Sequence, residues 1–144
     1  MTAPACVLVV DDDESLRQMY TLILEKEGYD VTTANDGVQG LAKTREGGFA
    51  LILLDLMMPN LDGIGFLQAI PKERPKKPNG PVVVLSNAAY DEVAKEVETL
   101  GAAGFLMKAD LLPPDLVREV KKYLAGPDRE QPKFERTPLA SRDV

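Results

Sequence analysis

A chain of 144 residues with 44% hydrophobic content is the right size for one compact domain with an ordinary core. Its formal charge of -6 argues against sequence-independent binding to nucleic acid, which relies on Lys and Arg meeting phosphates, and favours a basic protein partner or a bound cation. A lone cysteine, Cys6, excludes an intramolecular disulfide and reads as a small apolar residue at a strand edge, while the absence of His makes a zinc site a poor fit.

The N-terminal MTAPACVLVV has neither the basic start nor the cleavable apolar stretch of a signal peptide, and no apolar run approaches a membrane span. A cytoplasmic protein without membrane insertion is expected. Val7 to Val10 reads as a strand. Ser15 to Lys26 follows as a helix opened by the capping-box spacing Ser15-x-x-Gln18, with Gly28 just past its end. Val31 to Ala34 is a short β-branched strand, and Asp36 caps a helix from about Val38 to Arg45 before Gly47-Gly48. Phe49 to Leu54 is apolar on both faces, the mark of a central parallel strand covered on both sides. A helix from Gly63 to Ile70 ends at Pro71, and the basic loop KERPKKPNGP leads into a fourth strand, Pro81 to Leu85. Tyr90 to Leu100 places Val93, Val97 and Leu100 at helical spacing, and Gly101 stops it. Phe105 to Met107 makes a fifth strand, and Pro113-Pro114 starts a last helix running to Leu124.

Five βα units in succession predict an α/β fold with a doubly wound, five-stranded parallel sheet and helices on both faces. The segment PDREQPKFERTPLASRDV is charged, proline-dotted and without apolar period. The domain is therefore expected to occupy 1–126 and a mobile tail 127–144.

Ligands of doubly wound sheets sit outside the carboxyl ends of the strands. Those ends carry Asp11-Asp12-Asp13, Asp55, Ser86 and Lys108. Carboxylates brought together repel unless a cation lies among them. An all-oxygen set without imidazole suits magnesium, which keeps several waters and takes one or two carboxylates plus phosphoryl oxygens. A hydroxyl and an ammonium are what a transferred phosphoryl group then needs, and Asp55 is placed to be the nucleophile. Taken singly each feature has a plainer reading: acids at a helix start, a turn serine, a solvated surface lysine. An EF-hand fails because Leu16 holds the glycine position and Leu22 the bidentate acid position, and no phosphate-binding G-x-x-x-x-G-K occurs.

The segments VLVVDDD, LILLDLMMPNLDG, VVVLSN and GFLMK together resemble the receiver domain of two-component response regulators, of the chemotaxis-regulator kind. The resemblance implies a flavodoxin-like (βα)5 fold. It also implies phosphorylation of Asp55 by a sensor histidine kinase or phosphotransfer protein. Magnesium would be held by Asp12 directly, Asp11 through water, Asp55, and the backbone carbonyl of Met57. Ser86 would bond the phosphoryl oxygen, Lys108 would pair with the acyl phosphate, and Phe105 would be the aromatic switch residue. Asp13 has no role in that pattern and reads as a helix-start acid. A downstream protein target would meet the 90–124 surface, with no direct nucleic-acid contact and no catalytic turnover beyond slow autodephosphorylation.

Two positions depart from the family. Ala109 stands where proline usually follows the lysine, so a trans Lys108-Ala109 bond is expected, since a cis bond without proline costs about 2.5–4 kcal/mol. Asn87 stands where Ala or Gly commonly follows the switch hydroxyl, which narrows entry for small phosphodonors. A second reading is a haloacid-dehalogenase-type phosphatase, because VVDDDESL resembles its D-x-D-x-[ST] loop, with Asp11 attacking and Asp13 as acid-base. Against it stand the lack of a later metal-binding acid pair, the lack of room for a cap domain and the absence of any task for Asp55. A third is a non-phosphorylated receiver-like scaffold, disfavoured because every reacting group is present.

Overall fold

Each apolar run of the sequence becomes a strand, and each amphipathic stretch the helix that covers it. The structure is a computed structural model that describes residues 4–87, 91–125 and 135–136. In chain order it contains β1 (Cys6–Val10), α1 (Glu14–Lys26), β2 (Asp30–Ala34), α2 (Gly37–Glu46), β3 (Leu51–Asp55) and α3 (Gly63–Ala69). β4 (Val82–Ser86), α4 (Asp91–Thr99), β5 (Gly104–Met107), α5 (Pro113–Leu124) and a two-residue β6 (Glu135–Arg136) follow. Short 3-10 turns at Ile70–Lys72 and Lys108–Asp110 complete the described elements.

All strand pairs are parallel, in the order β2-β1-β3-β4-β5-β6. The chain winds outward from β1 in one direction to β2 and in the other through β3 to β5, so the winding reverses between β1 and β3. The period of two then sorts the apolar residues by face. Leu8, Val10, Ile52, Leu54, Val84 and Phe105 join Phe66, Leu67, Ala94 and Val97 from α3 and α4. Val7, Val9, Leu51, Leu53, Leu85 and Leu106 join Tyr20 and Leu24 of α1 with Leu116 and Val120 of α5. Both faces being covered explains why β3 and β4 are buried at every residue. Close packing also fixes Gly40 of α2, where an added Cβ would come within 2.9 Å of Val10 Cγ1 and 3.1 Å of the Phe66 ring.

One expectation changes. The cap of α1 is Asp13, whose carboxylate accepts from the Leu16 N–H at 3.1 Å, and Ser15 lies inside the helix. A carboxylate is as good a cap as a hydroxyl and comes first in the chain, so the Ser15-x-x-Gln18 spacing is not used. The tail expected over 127–144 lies outside the described residues except at two positions. Glu135–Arg136 adds a sixth strand beside β5, which requires backbone groups and no apolar period. The rest of 127–144 and the start of the fourth helix at Tyr90 lie outside the described residues.

Candidate functional site

The register brings the acids together. β1 and β3 pair as far as Val10 with Leu54, so the next rung sets Asp11 against Asp55. Parity places both on the α1/α5 side of the sheet, and Lys108, two residues after Leu106, shares that side. The Lys108 ammonium lies 2.8 Å from Asp11 Oδ2 and 3.3 Å from Asp55 Oδ1. All three side chains are nearly closed to solvent, at 7%, 1% and 6% exposure. One buried cation between two buried carboxylates leaves negative charge in excess.

The local backbone holds each carboxylate. Asp11 Oδ1 accepts from the Asp13 N–H at 2.9 Å, and the Arg17 guanidinium donates to the Asp11 carbonyl at 2.8 Å. Sequence reading missed Arg17. It stands one turn into α1 from the acidic triplet, and that spacing was the available signal. Among the described residues Asp11 Oδ2 has no hydrogen-bond partner beyond its ion pair with Lys108. Asp55 Oδ1 accepts a long bond, 3.4 Å, from the Met57 N–H.

The segment after β3 shows why PNLDG follows the aspartate. Asn60 adopts a left-handed conformation, φ 70°, which asparagine tolerates better than most residues. Its amide donates to Asp36 Oδ2, tying this loop to the cap of α2. Asp62 caps α3 by accepting from the Gly65 N–H at 2.8 Å. Gly63 packs so closely on β3 that an added Cβ would lie 2.7 Å from the Asp55 carbonyl oxygen. No other residue type leaves the end of β3 in place.

Burial drives the Asp55 carboxyl up from its ordinary 3.8 to about 6, and the neighbouring Asp11 charge adds to the rise. Lys108 and the Met57 N–H work against both. For Lys108, burial pushes the ammonium down, but the bonds and charges of Asp11 and Asp55 outweigh it and the net direction is up.

Asp11, Asp12 and Asp55 each bring a carboxylate oxygen within 4.8 Å of the other two. Asp12 is exposed while its partners are buried, so the cluster opens to solvent on that side. The donor set is all oxygen, and the under-satisfied Asp11 Oδ2 belongs to it. These residues fit a hard divalent cation.

Ser86 closes β4 and is buried at 3% exposure, opposite Met107 of β5. The Met57 side chain is 78% exposed beside the site. Phe105 is buried, at 1%, among the residues of the α3/α4 face. The Lys108-Ala109 bond is trans, as expected without proline, and the chain continues into the 3-10 turn. Asp13 is taken up as the α1 cap. That leaves the phosphatase reading without its acid-base residue, and the alternatives to a receiver are not favoured.

A doubly wound α/β domain with a carboxylate and ammonium cluster where its winding reverses defines the class. Within that class the chain belongs to the response regulator receiver domain family, whose sequence model matches residues 7–121. The DNA-binding response regulator MtrA of Mycobacterium tuberculosis (strain H37Rv) is 36% identical over 126 residues, 86% of this chain and 52% of that protein. The chain thus spans about half the length of such curated relatives. The Vibrio cholerae chemotaxis protein CheY4 superposes with a TM-score of 0.75 at 33% identity, covering 85% of this chain and all of that one. A CheY-like receiver from Methanospirillum hungatei gives 0.79 at 30% identity, covering 89% and 99%.

Proposed function

We propose that Asp55 is the phosphoacceptor of a signalling switch, receiving its phosphoryl group from the phosphohistidine of a sensor kinase or phosphotransfer protein. The observation that carries this reading is the cluster itself, a buried strand-end carboxylate 3.3 Å from a buried ammonium and next to two further acids. In the transfer an ionised Asp55 oxygen attacks phosphorus in line with the donor nitrogen. A P–O bond forms as the P–N bond breaks, and the imidazole leaves. The Asp55 carboxyl, at about 6, is ionised for this task at neutral pH. Lys108 holds it in place and meets the new charge, and the Ser86 hydroxyl donates to a phosphoryl oxygen.

Asp11, Asp12, Asp55 and the Met57 carbonyl would hold magnesium, which when bound neutralises charge on the oxygens of the transferring group. The chain acts on itself, so it is an acceptor and not a turnover enzyme.

Phosphorylation adds roughly one further negative charge and new acceptor oxygens at the end of β3. Drawing Ser86 and Lys108 toward them alters the β4 and β5 ends, and with them the surface formed by α4, β5 and α5, where a target protein would bind. On α1, exposed Met19 and Leu22 beside Pro113 offer the donor an apolar surface near the site. No helix among the described residues is long and apolar enough to cross a membrane. The relatives named as DNA-binding are matched over about half of their length, and nucleic-acid contact is assigned to no residue here.

The test is incubation with a small phosphodonor, with and without magnesium, followed by intact-mass measurement. The parent is expected to gain one phosphoryl group only when the metal is present, and Asp12→Ala to gain none. Equal phosphorylation of Asp12→Ala and parent would refute the metal assignment.

A further inference from the structure

At the end of the molecule where the strands begin, opposite the acidic cluster, the sign of the charge is reversed. Lys43 and Arg45 lie in the last turn of α2 and Lys72 ends the 3-10 turn after α3. Arg74, Lys76 and Lys77 follow in the loop that leads to β4, and all six residues are exposed. Glu46 and Glu73 are the acids of these two segments, paired with Lys76 at 3.3 Å and with Arg45 at 2.9 Å. Lys43, Lys72, Arg74 and Lys77 have no ion pair among the described residues. In a chain of formal charge -6, four cations gathered at one end are left without a counter-charge. Complementing a helix dipole accounts for Lys43 and Arg45. It does not account for Arg74, Lys76 and Lys77, which lie on no helix.

The loop that carries these cations is built onto the end of α2. The Lys76 N–H donates to the Arg45 carbonyl at 2.9 Å, the Gly48 N–H to the Pro78 carbonyl at 3.2 Å and the Gly80 N–H to the Phe49 carbonyl at 2.6 Å. The Asn79 amide donates to the Thr44 carbonyl at 3.0 Å, and its Oδ1 accepts from the Phe49 N–H at 3.2 Å. Gly47, at φ 78°, passes so close to the loop that an added Cβ would meet the Lys77 carbonyl. Pro71, Pro75, Pro78 and Pro81 restrict the same backbone further. Cations presented on a fixed backbone bind with a smaller ordering cost than cations on a flexible loop.

We infer that this end of the molecule is a docking face for an acidic segment of a partner protein, whose carboxylates pair with Lys72, Arg74 and Lys77. Charge complementarity selects an anion, and the rest of the face selects a polypeptide. No aromatic side chain occurs in 43–48 or 70–81 to stack on a base, and the net charge of the chain opposes the phosphates of a duplex. The exposed large apolar side chains, Met19, Leu22, Val38, Met57 and Leu112, lie in other segments, so the face has no apolar anchor for a lipid surface. The face and Asp55 lie at opposite ends of β3, roughly 15 Å apart along the strand. Docking there holds a partner without covering the phosphorylation site and does not depend on Asp55 chemistry.

The test titrates the full chain with a deca-glutamate peptide at low ionic strength, where exposed charges are least screened, and follows the amide resonances. Shifts are expected at residues 43–48 and 72–80. Lys72→Ala, Arg74→Ala and Lys77→Ala together are expected to weaken binding about tenfold or more. Lys26→Ala, Lys95→Ala and Lys121→Ala together remove the same charge elsewhere and should leave the affinity within about twofold. Asn79→Ala keeps every cation but loosens the loop, and should weaken binding about threefold. No binding by the parent, or shifts confined to other segments, overturns the inference. Equal losses in the two triple variants would reduce the effect to net charge and overturn it as well. Parent affinity in the Lys72, Arg74, Lys77 variant contradicts the assigned cations, and parent affinity in Asn79→Ala contradicts a preformed face. Duplex DNA and phosphatidylserine vesicles, titrated at the same salt, are expected to bind less tightly than the peptide. Tighter binding of either would assign the face to that class of partner and overturn the acidic-segment reading.

Discussion

Asp55 is held at the end of β3 in a state that costs folding energy. Its carboxyl sits at about 6 in the fold against an ordinary 3.8, because burial and then the Asp11 charge disfavour ionisation more than Lys108 favours it. An acid raised by folding contributes no penalty below about pH 4, where it is neutral in both states. The penalty grows as pH rises to about 6 and is constant above that. Asp55→Asn should therefore stabilise the metal-free protein at pH 7 by about 1–3 kcal/mol, and have little effect near pH 4. Urea denaturation at the two pH values checks this, and magnesium should shrink the gain at pH 7 by relieving the same repulsion in the parent. An equal gain at both pH values would mean that ionisation of Asp55 is not its source.

A second prediction at this scale concerns the lifetime of the acyl phosphate. Its hydrolysis needs a water held in line with phosphorus. Met57, two residues after Asp55, is 78% exposed and offers that water no hydrogen bond; Ala88, two residues after Ser86, carries no polar group either, and lies outside the described residues. The Met57→Asn, Ala88→Glu protein should lose its phosphoryl group faster than the parent, by an estimated tenfold, as general positioning effects allow. Following dephosphorylation with magnesium in excess decides it, and equal decay would shift attention to Asn87.

At the scale of elements, the acidic triplet divides into two tasks. Asp11 and Asp12 face the cluster, whereas Asp13 satisfies the first turn of α1 through the Leu16 N–H. Asp13→Ala should cost about 1 kcal/mol of stability, the usual worth of such a cap, and leave magnesium affinity within about twofold. A thermal melt and a metal titration on the same variant separate the two, and a large loss of affinity would return Asp13 to the site. The cap also shows what the sequence conceals. Asp13 was readable as a helix-start acid, but only backbone geometry tells that it, and not Ser15, caps the helix. The strands were legible because runs such as Leu51–Leu54 have no other stable place than a sheet covered on both faces. The meeting of Asp11, Asp55 and Lys108 followed from strand parity and the parallel winding. Arg17 left only its spacing from the acidic triplet as a signal, and β6 left none, because strand pairing through backbone groups needs no apolar period.

For the molecule as a whole, the site and the surface that would answer it are joined by short strands. Ser86 ends β4 and Met107 ends β5 as register partners, and Lys108 follows at once. Phosphorylation should therefore change amide exchange in α4, β5 and α5 more than in β2, at the far edge of the sheet beyond β1, and in α2, which packs on β1 and α3. Exchange measured with and without a phosphodonor checks this, and a uniform change would argue for general tightening in place of a directed switch.

The most direct test of the account is to locate the phosphoryl group. The protein is phosphorylated with magnesium present, digested, and its peptides are mapped by mass spectrometry. The phosphoryl group is expected on Asp55, in the peptide carrying LILLDLMMPNLDG, with none on Asp11 and no modification in Asp55→Asn. A phosphoryl group on Asp11, or undiminished labelling of Asp55→Asn, would contradict the assignment of Asp55 as the acceptor.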